Sequence, residues 1–293
     1  MNIIKRPYKV LSDYLPVYDF LSANYTLYEL NSMMLPQFFE YAHTHPAFNH
    51  RYTHRMTVWE NDVGIVAFCG YEMDIGEAYL ICNNDYSFLL SEMLSQAETL
   101  LSLQKDGYHS LTVSVIETQQ KHITLLKANG YHLEYTEPIR TYQYENGFSN
   151  LTLPNGFICR SLSNSLDYQK LNRCIWRGFN HGNPVKYDID AQMHMMNGPH
   201  YNFSLGRIIV APDGEYACFL GMWMDKHHDY AYLEPLCTQP EYRKMGLAKY
   251  ALTDAMKQTN NMGARYCFGG VPEFYTAIGF KLLCNRQFWK KEW

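Results

Sequence analysis

Apolar positions along this chain change their spacing in a regular order, and the order runs twice. Over residues 13–23 and 33–41 they recur at helical spacing. Two runs rich in β-branched and aromatic residues follow, Arg55-Met-Thr-Val-Trp-Glu60 and Val63-Gly-Ile-Val-Ala-Phe-Cys69, joined at Asn61-Asp62 as a hairpin would be. The second half repeats the plan with helices over 165–179 and 188–196. Its hairpin pairs Arg207-Ile-Ile-Val-Ala211 with Glu215-Tyr-Ala-Cys-Phe-Leu-Gly-Met-Trp223 across Pro212-Asp-Gly214. In each half a short strand opens the series. A third strand, a long helix, a fourth strand, a short helix and a closing strand complete it.

Asn, Gly, Ser and Pro cluster over residues 144–156, between two patterned regions, and mark a break. The chain therefore reads as two domains, 1–146 and 150–293, built on one duplicated α/β plan. Their closing segments agree in kind. Leu125-Leu-Lys-Ala-Asn-Gly-Tyr131 and Phe274-Tyr-Thr-Ala-Ile-Gly-Phe280 both put Gly where a helix ends and an aromatic where the next strand begins. Leu247, Ala251, Leu252, Ala255 and Met256 form a core-facing stripe on the long helix of the second half.

Bulk properties remove several function classes. A hydrophobic share of 47% against 18% charged residues is that of a folded protein, and 293 residues suffice for two cores. A net charge of -4 argues against a nucleic-acid partner. No run approaches the roughly 18 apolar residues of a membrane span, and the first residues lack the apolar stretch of a secretion signal. Eight cysteines without a C-x-x-C pair read as reduced thiols in a cytoplasmic protein. The cluster His43-Thr-His45-Pro-Ala-Phe-Asn-His50-Arg-Tyr-Thr-His54 has no interleaved Cys or acid, and Pro46 breaks the helix that would align it, so no metal is expected.

The chemistry concentrates in Leu233-Glu-Pro-Leu-Cys-Thr-Gln-Pro-Glu-Tyr-Arg-Lys-Met-Gly-Leu-Ala248. This reads as a strand, a Pro-bounded turn and a helix start. The first N–H groups of a helix lack internal partners and carry partial positive charge, so they attract an anion such as a diphosphate. Gly246 and Ala248 lack bulk there, and Arg243, Lys244 and Lys249 add positive charge. Pro235 cannot continue a ladder, so pairing with the neighbouring strand should fail beside it, at an ordinary bulge or a functional parting. The first half has no counterpart. After Ala78-Tyr-Leu-Ile-Cys82 it runs through Asn83-Asn-Asp-Tyr-Ser-Phe-Leu-Leu90 into a helix, with Asp85 and Glu92 placed to repel a phosphate.

Leu236-Cys-Thr-Gln-Pro240, Arg243-Lys-Met-Gly246-Leu-Ala248 and Phe274-Tyr275-x-x-x-Gly279-Phe280, in that order, resemble motifs A and B of the GNAT acetyltransferase superfamily. Thr238 and Ala248 are the small departures. The duplicated plan resembles its tandem-domain members, which include mycothiol-synthase-like enzymes. The likeness implies an α/β (α+β) fold of two GNAT-like domains. Each would be a mixed, mostly antiparallel sheet flanked by helices, with the fourth and fifth strands parted in the second.

It also implies acetyl-CoA as co-substrate, with its diphosphate on the backbone of Arg243, Lys244, Met245, Gly246, Leu247, Ala248 and Lys249. The pantetheine arm would lie along Leu236, Cys237 and Thr238 as an added strand. Tyr275 matches the position of the family's proton donor, with Phe274 and Ile278 expected to hold its helix to the core and leave it facing the cleft. Glu234, sharing a strand face with Tyr230 and Tyr232, is the candidate base. The loop Trp176-Arg-Gly-Phe-Asn-His-Gly-Asn-Pro184 would supply Trp176, Phe179 and His181 to an acceptor pocket that Tyr232 completes. The expected activity is acetyl transfer to a small primary amine by a monomer or homodimer. A non-catalytic acyl-CoA-binding or scaffolding protein is the alternative.

Overall fold

The computed structural model describes residues 2–27, 30, 34–164 and 166–293. The predicted helix start at Met33 and the start at Ser165 lie outside them. Chain order is β1 (Ile4–Pro7), α1 (Val10–Ala23), α2 (Pro36–Thr44), β2 (Thr57–Glu60), β3 (Ile65–Gly70), β4 (Glu77–Cys82), α3 (Leu90–Leu100), β5 (Leu103–Lys105), β6 (Tyr108–Ile116), α4 (Gln120–Ala128) and β7 (His132–Gln143). There follow β8 (Ile158–Ser161), α5 (Tyr168–Gly178), α6 (Ile189–Met195), β9 (Arg207–Val210), β10 (Tyr216–Trp223), β11 (Tyr230–Thr238), α7 (Leu247–Asn261), β12 (Tyr266–Gly269), α8 (Glu273–Ala277) and β13 (Lys281–Glu292). The twofold plan is there: β1-α1-α2 and β8-α5-α6 open the two series, and a hairpin follows each.

Caps explain where the helices begin. Asp167 accepts from the N–H groups of Gln169 and Lys170, so α5 starts just after it. Asp188 does the same for Ala191 and starts α6. Asp13, expected at a helix start, instead reaches back to the Lys9 N–H at 2.7 Å, and α1 begins at Val10.

The chain divides into two compact units. The first comprises Met1–His43, Ala47–Ile139 and Leu282–Trp293, and the second Thr44–Pro46 and Arg140–Lys281. The boundary thus differs from the break over 144–156. In the first unit the strands run β1-β2-β3-β4-β6-β13, with β5 beside β6, so the last strand of the chain closes this sheet, antiparallel to β6. In the second the order is β12-β11-β10-β9-β8, and the Arg140–Gln143 end of β7 pairs with β12. An alternating strand satisfies its pattern in either sheet, so periodicity alone could not assign these two closing segments.

In the second unit both faces of the sheet are covered. Leu171, Cys174 and Met196 pack on Ile208, Phe219 and Cys237 on one side. The predicted α7 stripe, Leu247, Ala251, Leu252, Ala255 and Met256, packs with Cys218, Leu220 and Ala231 on the other. This is why β10 reads as an unbroken apolar run and is buried throughout. In β10–β11 the register jumps from Leu220↔Leu236 to Met222↔Leu233, so Glu234 and Pro235 together face Gly221 as a bulge. A Cβ at Gly221 would run into the Glu234 carbonyl and stand 2.9 Å from Pro235 Cδ.

The first unit buries charge. Glu77 accepts from the N–H groups of Glu72 and Met73, both at 2.8 Å, and Tyr79 donates to Glu72 at 2.9 Å. Arg286 on β13 donates to Glu137 at 2.7 Å. Burial, then the Glu72 charge, raises the Glu77 carboxyl to about 7. His43 is buried too, on Phe39 O and the Tyr8 hydroxyl, and burial lowers it to about 4. It is a neutral packing residue. All eight cysteines are unpaired thiols. Among the described residues no helix is long and apolar enough to cross a membrane.

Two expectations follow. Glu77 has a raised folded-state pKa, so its contribution is fully present below the ordinary value of 4.5 and is lost as pH rises through about 7. Denaturant unfolding between these pH values should show wild type losing on the order of 3 kcal/mol more than Glu77→Gln; equal slopes would refute it. Gly221→Ala must shift the bulge and should cost about 1–3 kcal/mol by the same assay, whereas an unchanged midpoint would mean the bulge tolerates a side chain.

Candidate active site

The bulge decides where β11 parts from β12. These strands are parallel and pair only over Tyr230–Tyr232 against Tyr266–Phe268. Beyond Tyr232, β11 keeps β10 on one side and has no strand on the other among the described residues. Leu236, Cys237 and Thr238 thus present an open edge, as the proline suggested. Along this stretch Glu234, Leu236 and Thr238 are half-buried while Leu233, Pro235 and Cys237 are buried. Trp223 holds the bulge from below, its indole N–H donating to Glu234 O at 2.9 Å.

The open edge leads into the start of α7. A short 3-10 turn at Pro240–Tyr242 comes first, and α7 then begins at Leu247 after Gly246, which is left-handed at φ 81 and offers no side-chain cap. Lys244 is left-handed as well, at φ 62. Left-handed residues interspersed in such a turn aim successive N–H groups to one side, forming a nest for an anion. Among the described residues, no N–H from Lys244 to Lys249 has a hydrogen-bond partner. No acid stands in the first turn, and a Cβ at Gly246 would meet nothing within 4 Å. Donor set and open space both fit a diphosphate.

Arg243 is placed differently from expectation. Its N–H donates to Pro240 O at 3.3 Å. Its guanidinium is taken by Thr238 O at 3.2 Å, Gly178 O at 2.9 Å and Asn180 Oδ1 at 3.0 Å. It therefore ties the end of α5 to the end of β11, and Lys244 and Lys249 are left as the charges beside the nest. Sequence reasoning missed this joint. Gly178 lets α5 approach so closely that a Cβ there would sit 2.7 Å from Cys237 Cβ.

The loop after α5 gathers three of the proposed acceptor residues. Trp176 donates to Gly182 O at 2.8 Å, and its ring lies 5.3 Å from that of His181, which is 6.1 Å from Phe179. Phe179 is 43% exposed despite its size. Tyr232 lies apart from them in the sheet, opposite Trp223 and Phe268.

Tyr275 is buried, at 8% exposed, while Phe274 and Ile278 are only partly covered. Phe274 and Ile278 still pack against the core, and Tyr275 is buried with them instead of standing open to a cleft. Its ring stands edge-on to Phe280 at 5.4 Å and lies against Gly269 and Gly270, where a Cβ would come within 2.8 Å of it. Burial, then the charge of Glu234, pushes the Tyr275 phenol up, so the hydroxyl stays protonated at neutral pH. Glycines were the legible signal for these supports: Gly221 interrupts an apolar strand, and Gly269-Gly270 precedes a helix.

Comparison with known proteins bears on the fold that carries these residues. Residues 169–280 match the acetyltransferase (GNAT) family. No curated protein matches the chain by sequence. Among solved structures, a GCN5-related N-acetyltransferase from Sphaerobacter thermophilus superposes with a TM-score of 0.64 at 12% identity, covering 99% of this chain and 95% of that one. A tandem GNAT protein from the clavulanic acid biosynthesis pathway gives 0.59 at 12% identity, covering 99% and 98%. N-myristoyltransferase of Saccharomyces cerevisiae gives 0.57 at 13% identity, covering 98% and 78%. At such identities the likeness is one of fold. Residues 169–280 of the second unit thus carry the acetyltransferase (GNAT) family match, and the chain over nearly its whole length has the fold of a tandem GNAT protein.

Proposed function

We propose that the second unit is an N-acetyltransferase that takes acetyl-CoA in the β11/β12 parting and acetylates a primary amine by direct attack in a ternary complex. One observation carries this reading. The open edge at Leu236–Thr238 runs straight into the unpartnered N–H row from Lys244 to Lys249. A row of amides followed by a diphosphate, as in coenzyme A, meets an open strand edge followed by an anion nest.

The chain's own groups then divide the work. The backbone of Lys244, Met245, Gly246, Leu247, Ala248 and Lys249 binds the diphosphate, with Arg243 holding the turn in shape. Glu234 takes the proton from the acceptor ammonium, directly or through water. Tyr275, kept protonated by burial, supplies a proton to the departing thiolate. Trp176, Phe179, His181 and Tyr232 line the acceptor side, and their flat apolar faces with few charges suit a small amine better than a protein tail. In this reading the first unit is a degenerate copy without a coenzyme site, and the protein is cytoplasmic, acting as monomer or homodimer.

Calorimetric titration of the whole chain with coenzyme A tests the first half: absence of heat removes the reading. Gly246→Asp places a carboxylate in the nest and should raise the coenzyme Kd at least about tenfold. For catalysis, Tyr275→Phe should lower kcat about 100-fold or more while leaving that Kd in place. The loss in Glu234→Gln should be largest near neutral pH and shrink as pH approaches the pKa of the amine, where the acceptor deprotonates by itself. Tight coenzyme binding without turnover on a panel of amines would favour a non-catalytic acyl-CoA-binding protein.

A further inference from the structure

The first unit holds a pocket of about 340 Å³ that nothing above uses. Small-molecule sites typically span roughly 300–1,000 Å³. It opens where the parallel strands β4 and β6, paired only over Glu77–Tyr79 against Thr112–Ser114, run on apart. Crevices outside the carboxyl ends of parallel strands are where α/β sheets take their ligands.

The lining is specific in its chemistry. It includes Asn84, Ser87, Thr118, Gln120, Lys121 and His122, with no carboxylate among the described residues that line it. The α4 start beside it has no side-chain cap and no acid in its first turn. The N–H groups of Lys121 and His122 have no partner among the described residues. Lys121 rests on the Ser87 hydroxyl at 2.8 Å, a contact easily exchanged at the surface.

His122 occupies the parting itself, 9% exposed, with Nε2 3.1 Å from Leu80 O. A carbonyl oxygen can only accept, so Nε2 carries the proton in this contact. Burial lowers this imidazole to about 4, so it is neutral and Nδ1 is a bare acceptor. No partner of Nδ1 exists among the described residues. The pocket thus pairs a cationic, N–H-rich rim with one inner lone pair awaiting a donor.

We propose that this pocket binds a small carboxylic acid bearing an amide N–H or hydroxyl next to its carboxylate. The carboxylate sits at Lys121 and the first turn of α4, and the neighbouring donor meets His122 Nδ1. A diphosphate fits less well, because Asp85 stands in the turn that precedes α3. This inference is independent of coenzyme binding in the second unit.

The test is calorimetric titration of the whole chain with N-acetylglycine and with lactate, using acetate as the ligand that lacks the donor. One of the first two should bind at least about tenfold more tightly than acetate. Its ¹⁵N spectrum should show the His122 Nδ1 resonance moving as a hydrogen bond forms there. Lys121→Met, at an exposed position, should weaken binding about tenfold or more. His122→Gln, which can still donate to Leu80 O, should erase the preference over acetate. Coenzyme A affinity, measured on the same samples, should not change in either variant. Equal binding of all three acids, no binding, an unmoved Nδ1 resonance, or full affinity in Lys121→Met would overturn the proposal. Displacement of the acid by coenzyme A would overturn it as well, because the pocket would then be a second coenzyme site.

Discussion

The second unit depends on a contact between two backbones, where the Glu234–Pro235 bulge lies against Gly221. Two residues of β11 there face one of β10, and only a residue without a side chain leaves room for the Glu234 carbonyl. Proline has no N–H to give to a ladder. The parallel pairing with β12 therefore stops at Tyr232, and the sheet opens along one edge while β10 keeps the other in place. The open edge, the nest before α7 and the half-buried Glu234 are consequences of that one irregularity. Trp223 secures it with an indole N–H on the bulged carbonyl.

The first unit follows the same plan to a different end. Its parallel pair β4/β6 also parts, but the gap receives the His122 ring, and the Ile116 N–H is met by the Gln119 side chain at 2.8 Å. Helix α4 spans Gln120–Ala128 where α8 spans only Glu273–Ala277, and the extra turn is what delivers His122. In the aligned closing segments Leu126 stands where the second unit has Tyr275. One topology thus yields a buried phenol in one half and, in the other, an imidazole that lines a small polar pocket.

Desolvation sets the protonation of the groups that matter in both halves. It keeps the Tyr275 hydroxyl and the His122 imidazole uncharged, and it raises Glu77 into the neutral range. Buried groups held away from their ordinary charge state concentrate where proteins do chemistry or discriminate ligands, although structural clusters such as that of Glu72, Glu77 and Arg286 show the same effect.

Much of this was legible in the order of residues. Periodicity settles the twofold series of helices and hairpins, because burying one face at a period of 3.6 or 2 is a local demand. Pro235, Gly246 and the Phe274–Phe280 segment mark the parting, the nest and α8, because backbone freedom and missing donors are properties of single residues. Tertiary structure alone decided the rest. Which sheet receives β13 and the end of β7 depends on neighbours that an alternating pattern does not name. The diversion of Arg243 to Thr238, Gly178 and Asn180, the burial of Tyr275 and the placing of His122 between two strands all depend on groups brought together from distant parts of the chain. Such contacts are set by packing in three dimensions, and no local pattern encodes them.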